Sequence, residues 1–228
     1  MNAKCNLVTV LLLCCLIFPG NAQEFNWQDL VNRKQYAAVI ARADSLTPAD
    51  SSDYEVMNAI GQAYEGMLRY RQAYDYYRLC LSMDTTNLDI LNTLARTATN
   101  LGKAKDAERY FHKVLAADSL NFYANYQLAR LYFQLGEYER AVDTYEKLQA
   151  RNEDNTALYR AIGDCYSRLE QYPSATIAYF QAYNLNRENA GLAGALVNTL
   201  YRMGVGSPDY ILEGVATVSY THLRAHET

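Results

Sequence analysis

The sequence predicts an all-α fold, a solenoid of stacked helix-turn-helix repeats. Four columns of residues recur at a step of 34 positions along the chain, and independent columns do not align in this way by chance. One column holds asparagines, one small residues, one alanines and one aromatic rings. They are Asn87, Asn121, Asn155 and Asn189; Gly61, Ala95, Ala129 and Gly163; Ala73, Ala107, Ala141 and Ala175; and Tyr77, Phe111, Tyr145 and Tyr179.

The segment 1–22 has the layout of a secretory signal peptide, with Lys4 ahead of a twelve-residue apolar run at 7–18. Small residues at 20–22 suit a cleavage site. A run of twelve is too short to cross a bilayer, which needs roughly 20 residues. A lipid-anchored form is less well supported, because a leucine and not a small residue precedes Cys14. We therefore expect export, with a periplasmic or secreted product.

The sequence of residues 23–53 predicts a degenerate pair of helices that caps the N-terminal side of the array. Asn26 can cap a short helix that contains Trp27 and Leu30, and residues 36–46 resemble a second helix. Terminal units of solenoids are atypical in this way.

The third repeat, residues 122–155, shows how one unit is built. Asn121 can cap its first helix, and Gly136 can end that helix in the left-handed conformation. Small side chains at Ala129 and Ala141 predict a close approach of two antiparallel helices. Apolar residues recur at helical spacing on one face of each helix. They are Leu128, Ala129 and Tyr132 in the first helix, and Tyr138, Ala141, Tyr145 and Leu148 in the second.

These residues carry the signature of the tetratricopeptide repeat family, which the chain resembles in repeat length, helix-turn-helix layout and the order of small and aromatic residues. The resemblance implies a right-handed αα superhelix that binds protein partners without catalysis. It covers four full repeats and the start of a fifth. The full repeats are 54–87, 88–121, 122–155 and 156–189, and residues 190–216 form the partial fifth.

Two departures from the family pattern stand out. The proline common near the end of such repeats is absent, which predicts less rigid turns between repeats. Asn125 is polar where the other repeats place apolar or aromatic residues, namely Met57, Leu91 and Tyr159.

The last twelve residues, 217–228, are interpreted as an artefact. From Val218 onward they read VSYTHLRAHET, which resembles an in-frame translation of the transposase adapter used to prepare sequencing libraries. His222 and His226 therefore give no evidence of a metal site. On this interpretation the natural product continues beyond Ala216, and a second helix of the fifth repeat covers the apolar face of Leu196, Val197 and Leu200.

Composition and the lack of known motifs argue against several classes of function. The formal net charge of −4 gives no support for nucleic-acid binding, which calls for a basic stripe. No catalytic, cofactor or metal motif is present, and His112 is expected to be solvated on an outward part of a second helix. Cys80 and Cys165 are expected to be small apolar fillers and not a disulfide pair. The sequence thus predicts a non-enzymatic chain without cofactor, metal or membrane span.

The site prediction rests on a second stripe of each first helix, at positions i, i+4 and i+7. The family resemblance implies that this face lines the concave groove where partner peptides lie; the alternative is a set of ordinary exposed residues. Tyr126 and Phe133, as exposed rings near arginines, suit interface anchors. The candidate partner-binding residues are Asn58, Gln62, Asn92, Arg96, Tyr126, Arg130, Phe133, Arg160 and Asp164.

The arginines of this stripe indicate the ligand. Arg96, Arg130 and Arg160 lie in successive first helices, which favours an extended, acidic ligand with at least one large apolar side chain. Asn92 beside Arg96 does not match the carboxylate-clamp variant of the family, so a chaperone tail is not the predicted partner. The predicted function is a protein-protein interaction scaffold of the bacterial envelope. The alternative is the periplasmic input module of a larger sensory or enzymatic protein.

Overall fold

The computed structural model describes residues 26–44, 46, 53–152 and 154–206. The predicted signal peptide and the adapter-like end lie outside these residues. In the described part there are eleven helices, the first ten of which form five consecutive pairs, and this confirms the predicted all-helical repeat array. None of the described helices is both long and apolar enough to cross a membrane. The helices are α1 (Trp27–Asn32), α2 (Tyr36–Ala43), α3 (Tyr54–Gly66), α4 (Tyr70–Met83), α5 (Leu88–Asn100), α6 (Ala104–Ala117), α7 (Phe122–Leu135), α8 (Tyr138–Gln149), α9 (Thr156–Arg168), α10 (Tyr172–Leu185) and α11 (Ala190–Arg202).

The chain divides into two compact units, Met1–Met83 and Asp84–Thr228. In the first unit, α3 pairs with α4, and the short helices α1 and α2 pack on α3. In the second unit, α5 pairs with α6, α7 with α8, and α9 with α10, while α11 packs on α10. Within that unit each pair also contacts the next, through α6 with α7 and through α8 with α9.

The asparagine column caps the first helix of each repeat, as predicted. In each case the side-chain Oδ1 accepts a hydrogen bond from a backbone N–H of the first helical turn, which satisfies an otherwise unpaired donor. Asp53 does the same for α3, so the column begins one step earlier with a carboxylate. The four amide donors are those of Ile90, Ala124, Leu158 and Leu192, at 3.1, 3.0, 3.1 and 3.2 Å.

A fifth column follows the first helix of each repeat, and the sequence analysis identified it only at Gly136. At each of these positions the backbone is left-handed, with φ between 59° and 80°. The residues are Lys34, Leu68, Gly102, Gly136, Glu170 and Gly204, again 34 positions apart. Since the column starts at Lys34, the turn between α1 and α2 has the same backbone geometry as the turns of the full repeats.

The other three columns form the core. The four column alanines are fully buried, and the four rings are between 0 and 4 % exposed. A Cβ atom built on Gly61 would lie 2.6 Å from Cε1 of Tyr77, and one on Gly163 would lie 2.7 Å from Cδ1 of Tyr179. The first and fourth repeats therefore have no room for even a methyl group where the two helices meet.

Tyrosine hydroxyls join one repeat to the next in the second unit. Tyr132 of α7 donates to Oε1 of Glu108 at 2.9 Å, and Tyr166 of α9 donates to Oε1 of Glu146 at 2.5 Å. Arg140 also donates to Glu108, at 2.7 Å, and holds the pKa of that carboxyl below its ordinary value. The tyrosines expected to act as core filling thus also make polar contacts between repeats.

The expectation that His112 is simply solvated was incomplete. Its side chain is 56 % exposed, but Nε2 lies 3.6 Å from Oε1 of Glu108 and 3.5 Å from the Tyr132 hydroxyl. The helical spacing of His112 and Glu108 places both beside the Tyr132 hydroxyl, so the ring belongs to the contact between α6 and α7.

The polar departure at Asn125 has a structural reason. Its Nδ2 donates to the backbone oxygens of Ser119, at 3.1 Å, and Asn121, at 3.0 Å. These carbonyls belong to the turn that leads into α7. Asn125 therefore ties the turn to the helix, at a place where the family's proline is missing.

The apolar face of α11 is only partly open. Leu196 was expected to await a further helix, but it is 2 % exposed and packs against Ala175 and Tyr179 of the preceding pair. Its place in the helix directs it back toward α10. The predicted second helix of the fifth repeat falls outside the described residues.

Glycines at two helix interiors allow a matched stability test. We expect Gly163→Ala to destabilise the protein by roughly 1–2 kcal/mol, because the overpacked Tyr179 ring must move. Gly194→Ala, in α11 with nothing within 4 Å of the added Cβ, should stabilise by roughly 0.5–1 kcal/mol through backbone entropy. Urea unfolding measures both; a Gly163→Ala protein as stable as Gly194→Ala would contradict the close helix contact.

The left-handed column gives a second test. Leu68 is 71 % exposed, so Leu68→Gly loses little burial and relieves a backbone strain of about 1–2 kcal/mol for an L-residue, offset by glycine's greater chain entropy. We expect a net stabilisation of roughly 0.5–1 kcal/mol. Gly136→Ala, also without neighbours within 4 Å, should lose about 1 kcal/mol. Thermal melts that moved both variants in the same direction would rule out the strain argument.

Candidate functional site

Two open cavities lie along the first-helix stripe of the second unit. The smaller has a volume of about 170 Å³ and lies between α5 and α7. The larger, of about 310 Å³, lies between α7, α8 and α9. The smaller is lined by Arg96, Thr99, Asn100, Gln127, Arg130, Leu131 and Gln134. The larger is lined by Tyr126, Arg130, Phe133, Gln134, Tyr145, Ala161 and Asp164.

Two residues of α7 line both cavities. Arg130 and Gln134, one helical turn apart, form part of the wall of each. The two cavities are therefore neighbours on one surface, which passes from α5 across α7 to α9. We call this surface the α5–α7–α9 groove.

The charges of the groove are unevenly distributed. Arg130 donates from Nη1 to Gln127 at 3.1 Å, and no carboxylate of the described residues lies within 4.0 Å of it. Asp164, on α9, accepts a hydrogen bond from the Tyr179 hydroxyl at 2.7 Å, and Nε of Arg160 lies 4.0 Å from its other oxygen. Burial, and then this contact with Asp164, raises the pKa of Tyr179. The hydroxyl therefore stays protonated and keeps the carboxylate in place.

The aromatic rings of the larger cavity are less exposed than expected. Tyr126 packs edge-on against Tyr145, with ring centroids 5.4 Å apart, and Phe133 packs edge-on against Tyr138 at 5.3 Å. Both groove rings are half-buried, because α8 supplies rings that cover one side of each. Burial raises the pKa of Tyr145, whose ring is 2 % exposed. The cavity thus has preformed aromatic walls and not mobile surface rings.

The structure separates the predicted site residues into those that line the groove and those that do not. Tyr126, Arg130, Phe133 and Asp164 meet at the larger cavity, and Arg96 meets Arg130 at the smaller one. Of the four remaining predicted residues, Arg160 lies beside Asp164 but lines neither cavity, and the other three lie elsewhere. Asn92 lines neither cavity, and its buried Oδ1 has no hydrogen-bond partner among the described residues. Asn58 and Gln62 are half-buried on α3 in the first unit, where Gln62 accepts a hydrogen bond from Gln28 at 3.3 Å.

Sequence reasoning missed several lining residues. Gln134 lies four positions after Arg130, a helical spacing that could have revealed it. Tyr145 was assigned to the core alone, although its ring also lines the larger cavity. Ala161 gave no signal, because its place depends on how α9 packs beside α7.

Neither a metal-binding cluster nor a reactive thiol is found among the described residues. No three histidine, cysteine, aspartate or glutamate side chains among them are grouped so as to hold a metal ion. Cys80 and Cys165 are free and buried, and burial raises the pKa of their thiols to about 11 and about 12. At neutral pH both are therefore protonated, and a thiol is a poor nucleophile in that form.

Two stretches of the chain match family models. Residues 54–87 and residues 100–165 each match a model described as tetratricopeptide repeat. No curated protein matches the chain.

Solved structures of similar fold include two of MamA. A crystal structure of MamA superposes with a TM-score of 0.63 at 19% identity, covering 72% of this chain and 92% of that one. MamA from residue 41 to its end, from Desulfovibrio magneticus RS-1, superposes with a TM-score of 0.65 at 19% identity. The match covers 77% of this chain and 97% of that one. A tetratricopeptide repeat protein from Parabacteroides merdae ATCC 43184 superposes with a TM-score of 0.64 at 17% identity. The match covers 86% of this chain and 79% of that one.

At such low identity these likenesses show the fold alone. They agree with the sequence columns, the caps and the helix pairs, and the two family matches fall on those same repeats. The chain is a tetratricopeptide repeat protein.

Proposed function

We propose that the protein is a non-catalytic scaffold that holds an extended segment of a partner protein in the α5–α7–α9 groove. The observation that carries this proposal is the sharing of Arg130 and Gln134 by both cavities. A compact small molecule would fill one cavity, whereas an extended chain fits a groove that continues across three first helices. Tetratricopeptide repeat proteins are generally non-catalytic and typically bind other proteins, which supports this assignment.

The chemistry of the groove favours an acidic partner segment with an aromatic or large aliphatic side chain. Two arginines line the smaller cavity, and three aromatic rings line the larger one. Arginine and aromatic residues are enriched among the residues that dominate binding energy at interfaces. Opposite charge in the ligand would also speed encounter, and this effect weakens with salt.

The proposed location is the bacterial envelope. Its support is the signal-peptide layout of residues 1–22, with a charged start, a twelve-residue apolar run and small residues before Gln23. An exported scaffold with buried, unpaired cysteines draws its stability from stacking and not from disulfides.

The groove assignment predicts which substitutions weaken binding. On an array of extended peptides of varied charge, we expect the parent protein to retain acidic peptides that contain tryptophan or phenylalanine. Arg130→Glu should weaken that binding about tenfold or more, because a repulsive charge replaces an attractive one. Phe133→Ala should cost roughly 1–2 kcal/mol of binding through lost ring contact. Fluorescence anisotropy measures both effects.

Matched controls lie on second helices. Lys113→Glu, on the exposed side of α6, makes the same charge change as Arg130→Glu, and Phe180→Ala removes a ring that is 43 % exposed on α10. Both should bind like the parent, and all four proteins should keep the parent's helix content by circular dichroism. Equal losses in the controls and the groove variants would place the partner on another surface.

Export is tested by the mature N-terminus. Expressed with residues 1–22 in a Gram-negative host, the protein should appear in the periplasmic fraction with Gln23 as its first residue by N-terminal sequencing. A full-length product that remains in the cytoplasm would refute the proposed location and leave the groove assignment untouched.

A further inference from the structure

We infer that the α5–α7–α9 groove has a polarity: it takes a peptide with its acidic residues over α5 and α7, an aromatic side chain in the larger cavity, and a neutral or basic residue beside α9. This inference rests on the proposed peptide-binding function and specifies its ligand. It requires that the ligand's negative charge end before α9, which a uniformly acidic segment does not satisfy.

The α5 end of the groove is positive. Arg96 and Arg130 line the smaller cavity, and the other described residues that line it are neutral. Thr99, Asn100 and the two glutamines, Gln127 and Gln134, add hydrogen-bonding groups that suit a carboxylate or a backbone carbonyl. One or two acidic side chains of a ligand match this end best, since guanidinium groups bind carboxylates in a bidentate geometry.

The middle of the groove accepts a ring. The larger cavity has a volume of about 310 Å³, at the lower limit of the roughly 300–1,000 Å³ typical of ligand pockets, so it suits one side chain. Tyr126 and Phe133 stand on its α7 wall, and Tyr145 reaches it from α8. These rings favour offset-stacked or edge-to-face contact with an aromatic side chain.

A lone cation is a poor match for the same cavity, although rings beside a carboxylate would otherwise suit an ammonium group. Arg130 lines the cavity as well, and it has no acidic partner within 4.0 Å among the described residues. Its charge would oppose a cation placed between the rings. A positive group is therefore favoured only at the α9 wall, next to Asp164.

The α9 end carries the negative charge. Asp164 lines the cavity from α9, whereas Arg130 lines it from α7, and the Tyr179 hydroxyl donates a hydrogen bond that holds the Asp164 carboxylate. Arg160 is 4.0 Å away, so it offsets that charge only in part. An acidic ligand residue placed here would face a carboxylate that cannot turn away without breaking its hydrogen bond. A lysine or a neutral residue would avoid this repulsion.

Three fluorescein-labelled peptides test the polarity: Glu-Glu-Gly-Trp-Gly-Lys-Lys, its charge-reversed form Lys-Lys-Gly-Trp-Gly-Glu-Glu, and the uniformly acidic Glu-Glu-Gly-Trp-Gly-Glu-Glu. The first two peptides carry opposite charges at their two ends and are called bipolar here. Both are needed because a peptide chain can run through the groove in either direction. At physiological salt we expect one bipolar peptide to bind about two- to fivefold more tightly than the acidic one, as exposed charge pairs contribute roughly 0.2–1 kcal/mol. Fluorescence anisotropy gives the three dissociation constants.

The variant Asp164→Asn separates this effect from net charge. Its amide oxygen can still accept from Tyr179, so the fold should be kept, while the advantage of the bipolar peptide should disappear. Asp143→Asn, on the exposed side of α8, changes the net charge equally and should retain that advantage. Thermal melts of both variants check that folding is unchanged.

The outcomes distinguish a failure of the proposed polarity from a failure of the proposed binding function. If the acidic peptide binds as tightly as both bipolar peptides, and Arg130→Glu weakens all three, the polarity is wrong and the groove remains the binding site. If the bipolar advantage persists in Asp164→Asn, Asp164 does not set it and the inference fails. If binding of all three peptides is insensitive to Arg130→Glu, the proposed function fails together with the inference.

Discussion

The contact between a ring on each second helix and a small residue on its first helix is the constraint on which the array depends. Tyr77 lies against Gly61 and Tyr179 against Gly163, at distances that leave no room for a methyl group. This contact fixes how closely the helices of a pair approach, and hence which stripe of the first helix is buried. The remaining stripe is left to form the α5–α7–α9 groove. The ring column also enters the site itself, since Tyr145 packs in the core and lines the larger cavity.

Sequence periodicity predicted the fold well because its columns report contacts inside one repeat. The asparagine caps, the buried alanines and the ring column all depend on neighbours at a fixed spacing. The left-handed turn column was hidden, since only Gly102, Gly136 and Gly204 have the residue type that favours such a backbone. At Leu68 and Glu170 the packing of the helix pair imposes a conformation that the side chains disfavour. Local preference therefore understated a regularity that the array enforces.

The groove was predictable only in part, because a helical stripe gives the direction of a side chain and not its neighbours. Arg130, Phe133 and Asp164 meet as the stripe suggested. Asn92 has an equivalent position to Tyr126 in its repeat, yet it lines neither cavity. Which positions become cavity walls depends on side chains from other helices, such as Tyr145 and Tyr138, that cover one residue and leave another open. Contacts between elements of this kind have no signature in a single repeat.

The shared wall at Arg130 and Gln134 makes the two cavities thermodynamically dependent on each other. A group that binds in the smaller cavity and contacts the Arg130 guanidinium also fixes the position of that positive charge in the larger cavity. The entropy of ordering these two long side chains is then lost once and not twice when both cavities are filled. Fragments that occupy one cavity each should therefore cooperate, and their binding free energies should not add up to that of the linked ligand.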